Sequence, residues 1–108
     1  MDFKTYQAGA QKTAVYPAET RITYPALGLA GEAGEVANQV KKIIRDNAGQ
    51  LTPERRAKIL DELGDVLWYA AALATDLDAS LDEVATANLQ KLASRAQNGT
   101  LQGDKRPE

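Results

Sequence analysis

Two long stretches of the chain repeat apolar residues at helical spacing, and no stretch alternates apolar and polar residues long enough to make a convincing strand. Leu29, Val36, Val40 and Ile43 share one stripe of the first stretch; Ile59, Leu63, Val66, Ala70, Leu73 and Leu77 share one stripe of the second. Start and stop signals divide the chain into four helices. Asp2 caps a first helix expected to reach about Tyr16, where Pro17 stops it. Pro25 suits the first turn of a second helix, which frays near Asp46, Asn47 and Gly49. Thr52-Pro53-Glu54 starts a third, expected to be the longest core element. Ser80 with Glu83 three residues on is a capping box for a fourth, which ends near Asn98-Gly99. The connectors are short, which favours antiparallel neighbours and predicts an all-α four-helix bundle. The helical domain is expected over residues 1–98, followed by a polar tail over 99–108.

A chain of 108 residues forms one domain at most and buries a modest fraction of its surface, so self-association through helix packing is expected. The net charge of -2 lacks the basic excess needed by a nucleic-acid polymer or an anionic membrane surface. No run approaches the roughly 20 apolar residues that span a bilayer, and Met1-Asp2-Phe3-Lys4 does not open a secretory signal, so the expected location is cytoplasmic. The chain has neither cysteine nor histidine. That removes disulfides, thiolate zinc sites, Ser-His-Asp machinery and imidazole ligands, and leaves carboxylates as the strong metal ligands.

The carboxylates have a pattern. Glu32-Ala33-Gly34-Glu35-Val36 and Glu62-Leu63-Gly64-Asp65-Val66 repeat the order acid, apolar, Gly, acid, Val. At about 100° per residue, acids three apart lie roughly 60° apart around a helix and about one turn apart along it. On a helical wheel Glu62 lies roughly 20° to 80° from Leu73, Val66, Ile59 and Ala70, and Glu32 lies at the same offsets from Ile43, Val36, Leu29 and Val40. Either pair alone is commonplace on a solvated helix face. Two matched pairs, each bordering an apolar stripe, face each other if both stripes face one core. Four converging carboxylates repel unless cations occupy the site, and a hard-oxygen set without histidine favours Mg²⁺ or Mn²⁺. Gly34 and Gly64 each cost about 1 kcal/mol against alanine inside a helix, which is tolerated best where another backbone approaches closely.

Glu32-x-x-Glu35 and Glu62-x-x-Asp65 resemble the signature of the MazG-like all-α nucleoside triphosphate pyrophosphohydrolases. Gly28-Leu29-Ala30-Gly31 and Val66-Leu67-Trp68-Tyr69 strengthen the resemblance, which covers roughly residues 24 to 95. It implies a four-helix bundle that dimerises, often further to a tetramer, and a Mg²⁺-dependent hydrolysis of (deoxy)nucleoside triphosphates to the monophosphate and pyrophosphate, in the service of nucleotide-pool house-cleaning. It also implies phosphate binding by Asn88, Lys91 and Arg95, whose spacing matches the family's Asn-x-x-Lys element and later arginine. Read from the residues alone, these three are a polar helix flank. The stretch Gly99 to Arg106 resembles the glycine-containing basic tail of the family's shorter members, and either closes over a substrate or is a disordered end.

In the implied reaction, water attacks the α-phosphorus, pyrophosphate leaves, and Glu35 is assigned as the base that accepts the water's proton. Lys42 shares a wheel direction with Glu35 and either reaches the same anion or is a solvated lysine near a helix end. Trp68 and Tyr69 either stack on the base or fill volume in the core or an interface. Two other readings compete. A phosphoribosyl-ATP pyrophosphohydrolase would share the fold and the metal chemistry, but the Glu-x-Gly-Glu context and the absence of a histidine after the second acidic pair weigh against it. A non-enzymatic helical module would use the acids to dock a basic partner. A di-iron carboxylate bundle is excluded because its Glu-x-x-His pairs need histidine.

Overall fold

The computed structural model describes residues 1–99, and the described residues contain four α-helices and no strand. They are α1 (Phe3–Gln11), α2 (Thr23–Asp46), α3 (Pro53–Asp76) and α4 (Leu81–Gln97), with a short 3-10 turn at Ala18–Thr20 between α1 and α2. The tail from residue 100 onward lies outside the described residues.

The capping signals act as their chemistry requires. Asp2 accepts from the Thr5 amide, Thr52 from the Arg55 amide, and Ser80 from the Glu83 amide while Glu83 returns a bond to the Ser80 amide. Two expectations are corrected. α1 ends at Gln11 and does not reach Tyr16. The amides of Lys12, Thr13 and Ala14 turn to the carbonyls three residues back, and the Thr13 hydroxyl donates to the Ala10 carbonyl, so the helix tightens and stops where a threonine competes for its backbone. Pro17 caps the 3-10 turn instead of ending α1. Nor is α3 the longest helix: α2 begins at Thr23, and both helices are 24 residues long.

α2 and α3 form an antiparallel hairpin. Its turn closes when the Gly49 amide, at φ +77°, donates to the Ile43 carbonyl. Arg55 clasps the turn, donating to the Gln39 and Asn47 side-chain carbonyls. At the other end Gly28 lies against Tyr69, where a Cβ would overlap the phenol ring. No such contact exists at Gly34 or Gly64 among the described residues, so among them neither serves the close backbone approach expected of it.

α1 lies across α3, and α4 packs against α1 and α3. Gln7 ties the three together: its amide donates to the Thr75 hydroxyl and the Ala79 carbonyl, and its carbonyl accepts from the Leu81 amide. Ala10, Ala71, Ala74 and Leu81 are buried at this junction, with Tyr6 and Trp68 packed against them. Small residues dominate that core, and much larger ones are left outside. Leu60, Leu63 and Leu67, spaced three to four apart on α3, are 47%, 51% and 38% exposed, so the expected core position of Leu63 is not realised within one chain. Ile44 on α2 and Leu89 on α4 are more exposed still. The Cα radius of gyration is 16.8 Å, against about 13 Å for a compact chain of 100 residues.

Candidate metal centre

The α2–α3 hairpin decides where the acids fall. Across the α2–α3 hairpin, Glu32 of α2 arrives opposite Glu62 and Asp65 of α3. Each of these three offers a carboxylate oxygen, and the three oxygens lie within 4.8 Å of one another. Glu32 and Glu62 are half-buried and Asp65 is exposed. Glu35 is exposed and stands outside this trio, yet its charge acts on both Glu32 and Glu62.

Crowding shows in the acidities. Desolvation raises the Glu32 pKa above the ordinary value, reinforced by a hydrogen bond shared with Asp65 and by the charges of Asp65, Glu62 and Glu35. Glu62 is raised by desolvation and then by Glu35, Asp65 and Asp61, while Lys42 opposes the rise. Lys42 thus lies close enough to act on the cluster, and it also acts on Asp46. A set of hard oxygen donors that resist ionising together fits a divalent cation: the ion supplies the positive charge the cluster lacks.

Beside the trio is a cleft of about 400 Å³ whose wall comprises Thr13, Glu32, Asp65, Trp68 and Tyr69. Trp68 packs edge-to-face on Tyr69 at 5.0 Å between ring centroids. The Tyr69 pKa is raised by burial, then by Tyr24 and Glu32, and that of Tyr6 by burial and then by Asp65. The turn that follows α1 therefore contributes Thr13 to one wall of the site, which the motif did not reveal. Its signal in the sequence is faint, since Thr13 gains its place only when α1 crosses α3.

Asn88, Lys91 and Arg95 lie on α4, and the wall of the acid-bearing cleft contains no α4 residue. Asn88 and Lys91 are exposed and Arg95 is half-buried.

No helix among the described residues is long and apolar enough to cross a membrane. The chain is 47% identical over 109 residues to the Gene 37 protein of Mycobacterium phage L5, an alignment spanning 95% of this chain and 96% of the phage protein. No solved structure matches. The MazG nucleotide pyrophosphohydrolase domain matches residues 22–100, a span holding α2, α3, α4 and all four motif acids, so the chain belongs to the MazG nucleotide pyrophosphohydrolase family.

Proposed function

We propose that this chain hydrolyses (deoxy)nucleoside triphosphates to the monophosphate and pyrophosphate at a Mg²⁺ or Mn²⁺ site held by Glu32, Glu35, Glu62 and Asp65. The observation that carries the reading is the meeting of three carboxylates from two helices beside an open cleft, in a chain matched by a pyrophosphohydrolase domain. A bound divalent cation supplies charge neutralisation on the phosphates and polarises the reacting phosphoryl group. Glu32, Glu62 and Asp65 would hold it, with Glu35 as the fourth and least committed ligand. Glu35, beside the trio and exposed, accepts the proton of the water that attacks the α-phosphorus. The lone pair of that water forms the new P–O bond as the bond to the pyrophosphate oxygen breaks.

The site is completed by assembly. Leu60, Leu63 and Leu67 with Leu89 leave apolar area that a monomer of this size ordinarily covers, and a homodimer or homotetramer removes it from water. In that assembly Asn88, Lys91 and Arg95 meet the phosphates, which accounts for their absence from the cleft wall of one chain. The biological role that fits is nucleotide-pool cleaning inside the cytoplasm.

The test is pyrophosphate release, measured across ribo- and deoxyribonucleoside triphosphates with Mg²⁺ or Mn²⁺ at mildly alkaline pH. Release that Glu35→Gln and Asp65→Asn abolish supports the reading; no release from any of them sinks it. Release confined to phosphoribosyl-ATP moves the chain to the histidine-biosynthesis reaction. Unaltered Mg²⁺ binding by both variants leaves only a non-enzymatic helical module.

A further inference from the structure

The cleft beside the acids has an aromatic wall whose orientation is locked. Trp68 Nε1 donates to Thr13 Oγ1 at 2.9 Å, and the same Thr13 hydroxyl donates to the Ala10 carbonyl at 3.1 Å. With its hydrogen committed to Ala10, the hydroxyl presents lone pairs to the indole N–H, so the turn after α1 sets the rotation of a side chain on α3. On one side Trp68 packs against the Ala10–Ala71–Ala74–Leu81 core and on the other it borders the cleft that holds Glu32 and Asp65. A cleft of about 400 Å³ falls within the roughly 300–1,000 Å³ of small-molecule sites. A second groove, of about 850 Å³ along α1, shares Thr13 and Trp68 with it, so the indole stands between the acids and open space large enough for a nucleoside.

We infer that Trp68 is the platform on which the substrate's nucleobase stacks, and that Thr13 is a positioning residue that holds the indole in place. The inference rests on the nucleotide reading above and adds how the organic part of the substrate is bound. Phosphates drawn to the acid-held cation leave the base to reach along the same wall, which carries the indole beside the Tyr69 ring. Tyr69, edge-on to Trp68 and stopped by Gly28, backs the platform. Every base has a stacking face, so this contact selects for a base over none and leaves the choice among bases broad.

Trp68 is the chain's one tryptophan, so its fluorescence reports the contact without turnover. With Mg²⁺ present, titration with AMP is expected to quench it and titration with inorganic tripolyphosphate to leave it unchanged. Equal effects of the two ligands, or no quenching by AMP at concentrations that inhibit pyrophosphate release, overturn the inference. In steady state Trp68→Leu should raise KM about 5- to 100-fold, with kcat within about threefold. Thr13→Val should raise KM several-fold and blunt the AMP quenching, and Thr13→Ser should restore both, since only the hydroxyl is required. Circular dichroism melting establishes that each variant is folded; should Trp68→Leu fail to fold, the Thr13 pair and the quenching decide. An unchanged KM in folded Trp68→Leu, or Thr13→Ser behaving as Thr13→Val does, also overturns the inference. Absence of pyrophosphate release from every nucleotide refutes the catalytic reading instead, and the two failures are separately visible.

Discussion

The Asp76 carboxylate accepts the backbone N–H of Ile22 at 2.8 Å. Ile22 needs holding: its φ is +70° and its ψ -55°, and the Thr23 amide donates across it to the Arg21 carbonyl at 2.7 Å, which makes a strained γ-turn on a β-branched residue. The same carboxylate takes the Tyr16 hydroxyl at 2.8 Å and faces the Arg21 guanidinium, and its side chain is only 8% exposed. One half-buried acid at the end of α3 thereby pins the connector between α1 and α2. Asp76→Ala leaves those donors without their acceptor and should cost about 2–4 kcal/mol in denaturant unfolding. A loss below about 0.5 kcal/mol, the level of ordinary surface changes, contradicts the pin.

Burial, and then the bond to Asp76, push the Tyr16 phenol up to about 12. The folded chain therefore keeps a proton that the unfolded chain releases near pH 10, and the stability this provides is complete below pH 10 and lost as the pH rises towards about 12. Ultraviolet titration of tyrosinate should show a late component that Tyr16→Phe removes. An unaltered titration in the variant assigns the late component to another tyrosine.

Gly28 and Gly9 should respond to alanine in opposite directions. A Cβ at Gly28 overlaps the Tyr69 ring, so Gly28→Ala is expected to destabilise by about 1–3 kcal/mol as the α2–α3 contact adjusts. Gly9, in α1, has open space, and Gly9→Ala should stabilise by about 0.5–1 kcal/mol through helix propensity. Thermal melts of the two proteins check the sign, and a shared sign contradicts the packing at Tyr69.

Removing one acid should help the metal-free fold while destroying the site. Glu32 and Glu62 have raised pKa values, so the fold gains from their protons below the ordinary 4.5 and loses that gain as the pH climbs through their folded values. Without metal the protein should thus be more stable in mild acid than at neutral pH. Glu32→Gln should melt higher than the parent in EDTA at pH 7, gain nothing from Mg²⁺, and lose at least about 100-fold in kcat/KM. A variant that Mg²⁺ stabilises as much as the parent removes Glu32 from the ligand set.

The uncovered leucines predict assembly. Light scattering should give a dimer or tetramer, and Leu63→Lys, at a position half exposed in one chain, should shift it towards monomer. A parent protein that is monomeric at every concentration contradicts the assembly.

The periodicity of α2 and α3, the caps at Asp2, Thr52 and Ser80, and the repeated acid pairs were legible from sequence because each is local: helix geometry places residues three and four apart on one face whatever surrounds them. The acids could likewise be assigned to the border of a stripe, which is a property of one helix. Local spacing carries no knowledge of which helix lies opposite at which height. Only the antiparallel hairpin brought Glu32 to Glu62 and Asp65 and left Glu35 to one side. Only the crossing of α1 over α3 set Thr13 against Trp68 and made them a wall of the cleft, and only the packing of the whole chain put Tyr69 against Gly28 while Gly34 and Gly64 stayed open. The physical reason is one of range: caps and stripes are decided within about four residues along a helix, whereas the site is made by contacts between residues about thirty to fifty-five positions apart, which exist only once the helices have chosen their partners.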